Sequence, residues 1–190
     1  MSRSEAPKKL RLFVAVYPPP ATAHALLEAL AGLSLPPHRL VPPEQVHLTL
    51  QFIGDTPPAE LAAVTETVRR AAGGLGTFAM APQRLITLPQ RRSPRLVAAQ
   101  TDRHATLLEL QRRLAARLSR SARPRPGDRF RPHLTLCRFP AATVTAAIDT
   151  PLDVAPFTVE AIALMHSTLR SDGAQHERVE TVALANGTPV

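Results

Sequence analysis

The tetrapeptide His-Leu-Thr-Leu occurs twice in this chain, as His47-Leu48-Thr49-Leu50 and as His133-Leu134-Thr135-Leu136. Each copy opens an apolar, β-prone run, "VHLTLQFIG" (46–54) and "HLTLCRF" (133–139). Successive side chains of a strand point to opposite faces. In each copy the two leucines therefore share one face and the His and Thr share the other. Leucines sunk into a core leave the polar face free. If the two halves of the chain are related by a pseudo-twofold, the two polar faces meet across a groove, and two imidazoles and two hydroxyls converge.

The rest of the chain supplies the frame for such a pair. "LRLFVAVYP" (10–18) reads as a strand, and 21–33 has helical composition. A helix is expected over 57–72, with Thr56 as its N-cap and Pro57 in its first turn. Two strands follow (77–88 and 95–101). Then comes a helix (104–119) whose Leu107, Leu110, Leu114 and Leu118 form one stripe. After the second tetrapeptide come a linker (140–153) and strands 157–167 and 176–184, with Gly173 at the hairpin between them. This mixture suggests an α+β fold with two mainly antiparallel sheets around a central groove and helices outside. No long linker divides the 190 residues, so a single bilobal domain over 1–190 is expected.

Two facing imidazoles suit a reaction that needs a base and an acid together. One removes a proton from water while the other gives a proton to a leaving oxygen. Threonine hydroxyls can donate to phosphate oxygens. A His-x-Thr strand offers one good metal ligand, short of a closed zinc site. No metal and no cofactor is called for. The single cysteine, Cys137, cannot form an internal disulfide. By alternation it shares the His133 face, where it would be either a nucleophile or a small buried hydrophobe.

Net charge is +8, from 23 basic and 15 acidic residues, and apart from Lys8 and Lys9 every basic residue is Arg. Either a GC-rich codon bias or an anionic partner gives this composition. The cations cluster: Arg117, Arg120, Arg123, Arg125, Arg129 and Arg131 lead into the second tetrapeptide, and Arg91, Arg92 and Arg95 form a second group. No apolar run approaches membrane-spanning length, and the first residues lack a signal-peptide pattern. A cytoplasmic, monomeric protein with no membrane partner is expected.

With its flanks, the pair resembles the two-histidine phosphoesterase superfamily. Within it the chain resembles the bacterial RNA 2′,3′-cyclic phosphodiesterases, historically called 2′-5′ RNA ligases. The matching stretches are "RLFVAVYPP", "VHLTLQFIGD", "SPRLVAAQ", "RFRPHLTLCRF" and "FTVEAIALMHSTLRSDGAQHERV". The resemblance implies a bilobal, pseudo-symmetric two-histidine phosphoesterase fold. It also implies metal-independent hydrolysis of a terminal RNA 2′,3′-cyclic phosphate to a 2′-phosphomonoester, with reversible 2′-5′ ligation as a companion activity. Carried onto this chain, His47 is the general acid and His133 the general base, and Thr49 and Thr135 hold the phosphate. Arg138 and Arg131 are further phosphate contacts, and Phe52 stacks on the terminal base. Strict alternation puts Phe52 and Arg138 on the faces opposite the histidines, so each strand must end, twist or bulge for either to reach the groove. The bland reading of Phe52 is core packing. His176 stands where the family often has Tyr, and its role is open. Two other readings remain: a cyclic phosphodiesterase acting on a small nucleotide metabolite, and an RNA-end-binding protein with little turnover. The acid–base pair predicts a bell-shaped pH profile with its maximum around neutrality.

Overall fold

A computed structural model describes residues 8–90, 93–119, 130–141, 143, 145–170 and 173–185. Of the cations singled out above, Arg91, Arg92, Arg120, Arg123, Arg125 and Arg129 lie outside the described residues.

The first elements are β1 (Leu10–Val16), α1 (Pro20–Ala31), β2 (Arg39–Leu40), β3 (Leu48–Thr56) and α2 (Leu61–Ala72). Next come β4 (Phe78–Met80), β5 (Pro82–Leu88), β6 (Leu96–Thr101) and α3 (Ala105–Leu118). The chain continues with β7 (His133–Arg138), β8 (Asp149–Pro151), β9 (Phe157–Val159), β10 (Ala161–Arg170) and β11 (Gly173–Ala183). β11, β10, β1 and β3 form a four-stranded sheet in that order, and β2, β7, β6, β5 and β8 form a five-stranded one. All the paired strands in both are antiparallel. The expected α+β architecture holds. Each sheet draws strands from both halves of the chain, so neither sheet corresponds to one sequence half.

The helices follow their sequence signals closely. All four leucines of the α3 stripe are buried, and His104 caps the helix by accepting from the Thr106 amide at 3.2 Å. Pro20 opens α1, and Gly73 follows the end of α2. Thr56 is not a cap. It is the buried last residue of β3, and a short 3-10 turn (Pro58–Glu60) lies between it and α2.

Two expected strands are each divided. The 77–88 run breaks at Ala81, whose amide leaves the ladder to donate to the Asp102 carboxylate at 2.7 Å. The 157–167 run breaks at Glu160, whose carbonyl accepts from Leu184. The freed pieces, β4 and β9, pair with each other. The 140–153 linker contributes a strand, β8, which pairs with β5 and is clamped by the Arg84–Asp149 ion pair.

One core joins both sheets to the helices and takes in Leu48, Leu50, Leu134 and Leu136. Each buried leucine is worth about 1.5–3 kcal/mol relative to an exposed one. A smaller cluster of Phe13, Ala15, Ala163 and Met165, with Tyr17 against it, covers the other face of β1 and β10. That face looks into the groove. Among the described residues no helix is long and apolar enough to cross a membrane.

Candidate active site

The two tetrapeptide strands meet, β3 lying against β7. Each carries a bulge at the same motif position. Along β3, Thr49 pairs with Ala15 but Gln51 pairs with Val14, which leaves Leu50 as the extra residue. Along β7, Thr135 pairs with Ala98 but Cys137 pairs with Val97, which leaves Leu136 over. One inserted residue reverses which face later side chains occupy. Phe52 therefore stands opposite Phe13, on the Thr49 side, and Arg138 stands opposite Leu96, on the His133 and Thr135 side. The bulges supply the device that strict alternation lacked. Cys137 is displaced in turn. It is fully buried in the core, where desolvation raises its thiol pKa, so it does not share the His133 face.

The imidazoles are held alike. Nδ1 of His47 bonds the Gln45 carbonyl at 2.7 Å, and Nδ1 of His133 bonds the Arg131 carbonyl at 2.7 Å. A carbonyl only accepts, so each Nδ1 carries the hydrogen. In the neutral ring Nε2 is then a bare lone pair, ready to take a proton. Burial is the main cause that lowers the proton affinity of both. His47 falls to about 4, with His176, Arg138 and His133 adding like-charge repulsion. His133 is lowered too, by burial and then by Arg138 and Arg131. The hydrogen bonds to the carbonyls oppose both shifts.

A cavity of about 610 Å³ opens beside them, with His47, Thr49, Thr135, Arg138 and Phe52 on its walls. His133 is not among the wall residues, although its charge reaches His47. Arg131 is exposed and also stands off the walls. Its visible contribution is the carbonyl that orients His133. Phe52 is 63% exposed, its ring 6.0 Å from that of Phe13, which removes the core-packing reading. Arg138 is an edge neighbour of Arg39 across β2 and β7, and burial together with that second guanidinium lowers its pKa. Among the described residues no group of three or more His, Cys, Asp or Glu side chains is placed to hold a metal ion.

Two more residues belong to the site. His176 lines the cavity, its ring 5.1 Å from His47 and 4.9 Å from Phe13, edge-on to both. Its Nδ1 is buried with no hydrogen-bond partner, and burial, then Arg138, lowers its pKa. The resemblance marks this position as a departure without giving it a role, and the pairing of β11 with β10 brings it to the site. Tyr17 stands 5.3 Å from the His47 ring, and burial pushes its hydroxyl up to about 12. Alternation from Phe13 and Ala15 would have placed it on the groove face.

A model of the 2′-5′ RNA ligase superfamily matches residues 18–170. An RNA 2′,3′-cyclic phosphodiesterase of Thermus thermophilus is 32% identical over 92% of this chain and 90% of its own. One of Geobacillus stearothermophilus is 34% identical over 57% of this chain, and the match spans only 34% of that longer relative. A solved structure from Thermus thermophilus superposes with a TM-score of 0.75 at 30% identity, covering 94% of this chain and all of the other. E. coli LigT in its apo form shares the fold, with a TM-score of 0.76 at 23% identity over 93% of this chain and 98% of its own. The family model, the near full-length Thermus relative and the paired motifs agree, and the chain belongs to the 2′-5′ RNA ligase superfamily.

Proposed function

We propose that this chain hydrolyses the terminal 2′,3′-cyclic phosphate of RNA to a 2′-phosphomonoester. The observation that carries the reading is the matched pair of imidazoles. Each is fixed through Nδ1 to the carbonyl two residues upstream, one per sheet, beside a groove walled by Thr49, Thr135 and Arg138. The relatives carrying the name RNA 2′,3′-cyclic phosphodiesterase support it.

In the proposed step water attacks phosphorus. His133 Nε2 takes the proton from water as the new P–O bond forms. The bond from phosphorus to O3′ breaks, and His47, protonated on Nε2, gives its proton to O3′. Thr49, Thr135 and Arg138 hold the non-bridging oxygens and the charge that builds on them. The steps need only protons, which solvent resets. Burial leaves His47 without its acid proton in the free enzyme at neutral pH. The anionic phosphate favours the charged imidazole and loads it on binding. An RNA 5′-hydroxyl in place of water gives a 2′-5′ linkage by the same route, and the reverse reaction reopens it. The protein is further proposed to act as a monomer in the cytoplasm.

The test incubates the protein, with chelator, on RNA ending in a 2′,3′-cyclic phosphate and maps the product. A 2′-phosphate formed at an unchanged rate in chelator is expected. A 3′-phosphate, or full loss of turnover restored by one divalent ion, refutes the scheme. Substrates with a better leaving group at the 3′ position should partly rescue His47→Ala but not His133→Ala; the opposite pattern exchanges the two roles.

A further inference from the structure

The described residues expose three large apolar side chains, Leu40, Phe52 and Leu169, and all three stand on the walls of the cavity described above. They come from β2, β3 and β10, and so from both sheets. Isolated exposed apolar residues are ordinary on a surface, whereas several converging on one cleft mark a ligand with apolar faces. Phe52 shares the Thr49 face, where the cyclic-phosphate reading places the base of the terminal nucleotide. Leu169 is elsewhere: Phe52 opposes Phe13, Phe13 opposes Met165, and Leu169 lies four residues past Met165 on β10. That is roughly 13 Å along the strand and two strands over. A base stacked on Phe52 does not cover it.

Among the described residues, the same walls carry Arg11, Arg39 and Arg138, with Glu44 as the one acid. The Arg39 guanidinium crosses from β2 to lie over Gly173, where a Cβ would come within 2.9 Å of its Cζ. Gly173 is also at φ +134°, so glycine serves both the turn and the close approach. Leu169 pairs with Ala174, the next residue along β11. Arg39 and Leu169 thus stand near one another, Arg39 also beside Arg138 and Leu169 clear of Phe52.

A flat apolar ring joined to a single negative charge fits this arrangement. We propose that Leu40 and Leu169, with Arg39, form a second nucleotide subsite that takes the next upstream residue of the same RNA strand. Its base lies against the leucines and its phosphodiester faces Arg39. The subsite rests on the cyclic-phosphate reading above, and makes the substrate a polynucleotide end rather than a mononucleotide.

The test compares kcat/KM on adenosine 2′,3′-cyclic phosphate, on the dinucleotide ApA ending in that phosphate, and on the same dinucleotide lacking its upstream base. ApA should be favoured over the mononucleotide by about tenfold or more, and removing the upstream base should abolish most of that preference. The double variant Leu40→Ser/Leu169→Ser should lower the ApA-to-mononucleotide ratio by about tenfold. Arg39→Gln should weaken ApA and the base-less dinucleotide alike. Equal efficiency on mononucleotide and dinucleotide, or an unchanged ratio in the leucine variant, overturns the subsite and leaves the cyclic-phosphate reading standing. Turnover of none of the three substrates removes both.

Discussion

β3 and β7 share a local design and differ in their surroundings. An Nδ1-anchored histidine stands just before β3 and opens β7, both strands bury the motif leucines, and both bulge at the fourth motif residue. β3 is the outer strand of its sheet, and an aromatic residue follows its bulge. β7 has β2 along its outer side, and a cation follows its bulge. His47 sits among the rings of Phe13, Tyr17 and His176, and its proton affinity falls to about 4. His133 lies near Arg131 and Arg138 instead. A repeated motif supplies two equal imidazoles, and their neighbours make them unequal. In the proposed scheme this inequality works against the acid role of His47, and bound phosphate has to restore its proton.

The most severe break in the comparison is removal of either imidazole. His47→Ala and His133→Ala should each lower turnover by roughly 10²–10⁴-fold with the circular dichroism spectrum unchanged. If one variant keeps near-normal turnover, that histidine leaves the mechanism.

The burial of His47 also has a stability signature. The folded state binds its proton less tightly than the unfolded chain, whose histidine stays near 6.5. Between pH 6.5 and about 4 the unfolded chain therefore holds more protons, so stability falls as pH falls through that window. The loss from this one group is on the order of 3 kcal/mol at the acid end, read from urea unfolding midpoints. His47→Phe should flatten the dependence; an identical slope in that variant moves the effect to other groups.

The residues after the bulges should separate charge from stacking. Arg138→Gln removes a charge-assisted contact and should cost about 10–100-fold in kcat/KM, with weaker affinity for a 2′-phosphate product. Phe52→Ala should cost about tenfold, mostly in KM, on substrates carrying a terminal base and much less on base-less ones. Equal losses on both substrates would return Phe52 to a packing role.

Two smaller effects sharpen the electrostatics. In the proposed scheme the singly protonated pair is the productive form, and burial lowers the proton affinity of both histidines. The kcat/KM maximum should therefore lie on the acid side of 6.5 rather than at neutrality, while the alkaline limb of kcat, measured with substrate bound, should lie higher. His176→Phe keeps a ring beside His47 and removes a like charge, so His47 should titrate at slightly higher pH by NMR. A downward shift would show that His176 acts chiefly by excluding water.

The amino-acid sequence by itself determined the two motifs, the leucine faces that anchor them, the α3 stripe and the alternation of helix and strand. These are periodic signals within ten or so residues, and burial enforces them wherever the chain folds. The tertiary structure alone decided the rest. Thr56, an apparent cap, was claimed by the β3 ladder, and Ala81 and Glu160 ended strands because distant residues took their backbone groups. The bulges at Leu50 and Leu136 appear only in the register with β1 and β6, and they decide which face Phe52, Arg138 and Cys137 occupy. His176 on β11 reached His47 across β10 and β1 of one sheet, and the proton affinities followed from that enclosure. Local periodicity says which face a side chain takes along a regular strand. Register, bulges and dielectric are properties of strands meeting across the chain, and no short stretch of sequence contains them.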